Sequence, residues 1–101
     1  IDKVMDAQKL DAIIAPTSGI AELLDPTGSS RGPGGGCSTP SAMAGYPIMT
    51  VPMGYLYGIP IGVAFFGRAW GESTLIKLAF AYEQATKHRR PPKFLPTAAL
   101  G

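Results

Sequence analysis

Few side chains in this sequence could do catalytic chemistry, and they do not stand together. Cys37 is the one thiol and His88 the one imidazole among 101 residues. A cysteine nucleophile needs a base beside it. His88 sits within Lys87-His88-Arg89-Arg90 with Lys93 nearby, and an imidazole among like charges is a poor base. Cys37 therefore reads as structural, and with no second thiol it gives no internal disulfide. Glu83 is the other candidate, a carboxylate that the helical wheel places between Leu75 and Ile76 on an apolar side. With no second acid or histidine in reach, it reads as a structural carboxylate whose expected partner is Arg68 or a backbone amide. Glycines at 28, 32 and 34–36 could cradle a phosphate, but the Gly-Lys-Ser/Thr ending of a phosphate loop is missing and Pro26 and Pro33 interrupt. No catalytic residue, cofactor or metal is expected on this chain.

The basic run at 87–93 has two readings. One is contact with phosphate or an anionic surface. The favoured one is a cationic last turn that complements a helix dipole, because no aromatic platform or second basic patch accompanies it. A formal net charge of +2 adds no case for nucleic acid. A further candidate is Thr17-Ser18-Gly19, which follows the apolar run Asp11-Ala12-Ile13-Ile14-Ala15-Pro16. That run reads as a buried strand, and in parallel sheets the loop after a strand's C-terminal end is where ligands usually sit.

The elements that must position these residues follow from patterning. Residues 2–10 read as a short surface helix that carries Lys3 and Lys9, with Val4, Met5 and Leu10 available to a core. Residues 25–36 read as a flexible linker rich in Gly, Pro and Ser. Ser38 to Gly45 has helix start and stop signals, with Pro40 in the first turn and Gly45 at the end. Residues 46–54 are β-rich, 55–60 turn-like and 61–67 a second strand, antiparallel to the first because the connection is short. Ile61, Val63 and Phe65 point one way and Gly62, Ala64 and Phe66 the other, so both faces call for cover. A helix over 73–89 has the stripe Leu75, Leu78, Ala79, Tyr82 and Ala85, widened by Ile76 and Phe80. Pro91-Pro92 ends it, and an extended arm follows.

Length allows one domain at most. A compact monomer of 10.6 kDa would expose ~5,500 Å². The charged share is 16%, well below the usual ~25%, which implies more buried surface than a small monomer can supply alone. The first residue is Ile1 and no signal-peptide region precedes it, so the chain is expected to be cut from something larger. No apolar run approaches a membrane span, since Gly and Pro interrupt each one. A soluble, cytoplasmic piece of protein with no membrane partner is expected.

Four stretches together resemble the C-terminal portion of the amidase signature family, most like its bacterial amidases near the peptide-amidase branch. They are Leu10-Asp11-Ala12-Ile13-Ile14-Ala15-Pro16, Ala44-Gly45-Tyr46-Pro47 through Val51-Pro52-Met53-Gly54, Gly58-Ile59-Pro60-Ile61-Gly62 through Gly67, and Leu78 to Thr86 followed by Arg90-Pro91. The resemblance runs from about Leu10 to Pro96, with a poor match across the glycine linker.

The resemblance implies an α/β fold: a fragment of the family's mixed sheet, about three strands with two or three helices, residues 1–101 being the C-terminal fragment of an amidase domain. It implies a parent that hydrolyses carboxamides through a Ser–cis-Ser–Lys triad and an acyl-enzyme, with a glycine-rich turn holding the oxyanion. Those parts lie upstream of the present segment. Gly28-Ser29-Ser30-Arg31-Gly32 is superficially similar to the family's Gly-Ser signature but lies in the wrong place and lacks the nucleophile stretch. The chain alone is therefore expected to be inactive. Thr17, Ser18 and Gly19, and Ser38 within Gly36-Cys37-Ser38-Thr39, correspond to loops that can edge the acyl pocket and are the expected substrate-binding residues. The expected partners are the missing N-terminal part, a small carboxamide or peptide-amide substrate of the parent, and a second copy in a homodimer or domain-swapped assembly. The alternative is a self-standing interaction domain that associates through apolar sheet and helix faces.

Overall fold

Tyr57 and Gly58 turn the chain back on itself and so fix the register of the sheet. A computed structural model describes residues 1–22, 27, 35–94 and 96. Both turn residues are left-handed, with φ of 53° and 77°, the combination whose twist matches two antiparallel strands. They join β2 (Ile48–Leu56) to β3 (Ile59–Phe66), which pair from Leu56 opposite Ile59 to Ile48 opposite Phe66. The turn is thus shorter than the expected 55–60, because strand pairing runs up to both of its sides. Between Pro52 and Gly54 the register shifts by a bulge, where Pro52 has no N–H to give the ladder.

On its other side β3 pairs with β1 (Ile13–Pro16), giving the order β1-β3-β2. Both pairings are antiparallel, so the described strands contain none of the parallel pairs that a mixed sheet has. β1 is an edge strand rather than a buried one: Ile14 and Pro16 are exposed. Asp11 and Ala12 precede the strand, which begins only where pairing with Phe66 begins.

Among the described residues three helices complete the α/β arrangement: α1 (Asp2–Gln8), α2 (Ser38–Ala44) and α3 (Glu72–Thr86). α3 lies on one sheet face, where Leu75 and Ala79 pack with Val63 and Phe65 and are flanked by Met49, Val51, Leu78 and Tyr82. The Phe65 and Tyr82 rings meet edge to face, 5.9 Å between centres. On the opposite face Ala64 and Phe66 are buried as well, and Met5 of α1 reaches Gly67 beyond the end of β3.

α1 and α3 are shorter than sequence patterning suggests, for one reason. Each ends on a lysine in the left-handed conformation, Lys9 at φ 53° and Lys87 at φ 48°. The Thr86 hydroxyl also donates to the Tyr82 carbonyl at 2.8 Å, within the last turn. α2 ends on Gly45 at φ 72°, as expected from its sequence. Of the linker over 25–36, only Thr27, Gly35 and Gly36 fall within the described residues, so Gly28-Ser29-Ser30-Arg31-Gly32 lies outside them. The arm after Pro91 is described to Phe94 and at Pro96, without helix or strand.

The molecule is thin, 47 × 32 × 19 Å, with a radius of gyration of 15.9 Å against ~13 Å for a compact domain of this length. It exposes 7428 Å², about a third more than the scaling relation gives a compact monomer. Trp70 and Phe80 are 90% and 62% exposed. Among the described residues no helix is long and apolar enough to cross a membrane.

Candidate functional site

Thr17 is where two loops distant in sequence meet. Its N–H donates to the Gly62 carbonyl at 2.9 Å, which carries the β1–β3 ladder one residue past Pro16. Its carbonyl accepts the Cys37 N–H at 3.3 Å and lies 3.9 Å from Cys37 Sγ. These contacts bring Thr17-Ser18-Gly19 against Gly36-Cys37, with Ser38 next in the chain as the first residue of α2. Ser38 is exposed, and Cys37 precedes the helix without a side-chain bond to its amides. Ser18 is half-buried and donates within its own loop, Oγ to the Gly19 carbonyl at 3.2 Å.

The floor of this corner is a chain of hydroxyls. Thr50 Oγ1 donates to the Val63 carbonyl at 3.2 Å, and the Thr17 and Thr50 hydroxyls are bonded to each other. One hydroxyl has one proton, so Thr17 supplies the bond to Thr50. Gly62 lies against them. A Cβ there would stand 2.8 Å from Thr50 Oγ1 and 3.0 Å from Thr17 Oγ1, which requires a residue without a side chain. The corner therefore offers oriented oxygens and backbone groups. No base faces these hydroxyls among their described contacts, so the arrangement suits holding a polar group rather than attacking one.

Other expected partnerships differ. Arg68 pairs with α1 rather than with Glu83: its guanidinium reaches Asp6 at 2.6 Å and Asp2 at 3.8 Å. Glu83 instead accepts from its neighbour Gln84, at 3.1 Å. The basic run is not a last helical turn, since α3 stops at Thr86 and the cluster follows it. Arg90 turns back over Tyr55, with its guanidinium carbon 3.9 Å from the ring centre and its N–H 2.9 Å from the phenol oxygen. The antiparallel pairing of β1 also removes the parallel-sheet argument for a ligand after Pro16. What speaks for that loop is its contact with Cys37. Among the described residues no group of three His, Cys, Asp or Glu side chains is placed to hold a metal.

Sequence patterning does not single out Thr50, Gly62, Tyr55 or the Arg68–Asp6 pair. A signal for Gly62 exists, a glycine at the centre of an apolar strand, which marks a close approach. The others depend on register or on a turn and leave no local trace.

No model of a protein family matches the chain. Individual proteins do. The chain is 38% identical over 96 residues to the Arabidopsis thaliana protein named "Probable amidase At4g34880", covering 94% of this chain and 15% of that protein. It is 43% identical over 58 residues to a glutamyl-tRNA(Gln) amidotransferase chain of Moorella thermoacetica, covering 56% of this chain and 12% of the relative. The peptide amidase PAM, solved in complex with the competitive inhibitor chymostatin, superposes with a TM-score of 0.86 at 47% identity, over 93% of this chain and 19% of that one. The chain is thus similar to amidases over nearly its whole length, as expected for the amidase signature family. It stands near the peptide-amidase branch and spans less than a fifth of the length of these amidases.

Proposed function

We propose that this chain is the C-terminal part of an amidase that hydrolyses carboxamide C–N bonds, and that it is inactive alone. In this reading the reaction runs through a Ser–cis-Ser–Lys triad and an acyl-enzyme, in the upstream part of the protein. Lysine relays a proton through the bridging serine to the nucleophilic serine, and backbone amides hold the oxyanion. The present residues contribute three strands, the α3 helix and part of the pocket wall, with Thr17, Ser18, Gly19 and Ser38 edging a small carboxamide or peptide-amide substrate in the cytoplasm. The observation that supports it most is the junction of Thr17 with Cys37, which makes one continuous edge of two loops set beside a floor of bonded hydroxyls. The match to amidases over less than a fifth of their length supports the missing upstream partner.

The test is hydrolysis of a simple carboxamide by the chain alone and after co-expression with the upstream part of an amidase of this family. No turnover alone, and turnover sensitive to serine-directed reagents in the pair, is the expected result. Serine-reagent-sensitive hydrolysis by the chain alone would overturn the reading. A second reading, a self-standing interaction domain, is favoured by one observation, the apolar residues Trp70, Ile76 and Phe80 left open on and beside α3.

A further inference from the structure

A cavity of about 750 Å³ lies where the arm after α3 crosses back over the β2–β3 hairpin. Tyr55 fastens the arm there. Besides the stacking and the N–H bond, its hydroxyl lies 3.5 Å from the Arg90 carbonyl, so one ring meets both backbone and side chain of one residue. Tyr57, Ile59 and Ile61 form the hairpin wall and Pro91 and Pro92 the arm wall. Such a volume suits an organic molecule of modest size in a mostly apolar site.

Charge says which kind of molecule. Arg89, Arg90 and Lys93 border the cavity, and no Asp or Glu does among the described residues. Arg90 is engaged on Tyr55. Arg89 and Lys93 are exposed, and both described ion pairs use Arg68 instead. An occupant with an apolar body and a negative head would satisfy walls and rim together, whereas a neutral molecule of equal shape would meet only the walls.

We propose that this cavity binds an apolar carboxylate, its aryl or alkyl body between hairpin and arm and its carboxylate at Arg89 and Lys93. The acid is preferred to the neutral amide of the same body. Nothing in this inference requires hydrolysis, so it does not rest on the amidase reading. The cavity does border Thr50 and Gly62 beneath the Thr17 corner. Within an amidase it would hold the chemical class of the acid product.

The experiment is a nuclear magnetic resonance titration of the ¹⁵N-labelled 101-residue chain with hydrocinnamate and, separately, hydrocinnamamide, at low and high salt. Amide signals of Gly58, Gly62 and Arg90 should move, while the indole of Trp70, in a different cleft, stays. The acid should saturate these shifts at least about fivefold more tightly than the amide, and salt should shrink the gap, as for exposed charges. Arg89→Gln with Lys93→Gln should lower the acid to the affinity of the amide and leave the amide unchanged, and Ile59→Ser should weaken both. Equal binding of acid and amide would overturn the proposal. So would an acid preference that survives the double substitution, or shifts absent from Gly58 and Gly62. Failure here leaves the hydrolysis test of the amidase reading untouched, and failure of that test leaves this binding in place.

Discussion

Tyr46 joins the loop after α2 to the first turn of α1, since its hydroxyl donates to Asp2 Oδ2 at 2.7 Å. That bond, and the negative charge of Asp2 behind it, hold the phenol proton on and raise the tyrosine above its usual 10.0, with Arg68 opposing. A group whose folded value is raised stabilises the fold fully below the unfolded value and loses that contribution as pH rises through the folded value. Thermal midpoints measured from neutral pH upward should therefore fall beyond about 10 in part because of Tyr46, and Tyr46→Phe should remove that part of the fall. An unchanged alkaline slope in the variant would count against the bond. The residue scale is also where sequence is least informative. Thr17 and Thr50 are 33 residues apart and unremarkable as types, and only the register of β2 and β1 on β3 sets their hydroxyls side by side. Gly62 is the one member of that corner with a local signature.

At the scale of elements, α3 divides into an inner stripe and an outer surface. Leu75 is 2% exposed and packs with Val63 and Phe65, whereas its neighbour Ile76 is 52% exposed. Leu75→Ala should cost about 2–5 kcal/mol, the range for emptying a packed aliphatic site. Ile76→Ser should stay within about 0.5 kcal/mol, as for an uncovered surface position. Urea unfolding midpoints of the two variants measure the contrast directly. The stripe is legible because a period of 3.6 residues is written in the sequence, as are the hairpin and the glycine stop of α2. The ends of α1 and α3 are not, because Lys9 and Lys87 take the left-handed conformation that lysine composition does not announce. Pro91-Pro92 marks where a helix cannot continue, and α3 ends four residues short of there.

For the whole molecule, low charge and doubly apolar strands imply surface in need of cover, and the thin shape with Trp70, Phe80 and Met43 exposed agrees with that. Which part of β1 is left open is not legible, because an edge and a central strand share the same apolar run until their neighbours are known. We propose that, without the remainder of an amidase, the chain covers part of this area with a second copy. Light scattering should then give a dimer, and Phe80→Lys, which places a charge on the outer side of α3, should return the monomer. A monomer before substitution would sink that idea and leave the apolar area to an upstream partner alone.

The strand order has a consequence in time as well as in space. Among the described strands, β1 and β2 are not paired with each other, and each pairs with β3, which follows both in the chain. Up to Leu56 the present residues thus hold β1 and β2 without the strand that pairs with both. Pairing starts only as Ile59–Phe66 appears, with the two-residue turn letting β2 join first. β1 joins the far side of β3 across about forty residues of chain, so the Thr17 corner, which depends on all three described strands, is expected to close after the hairpin.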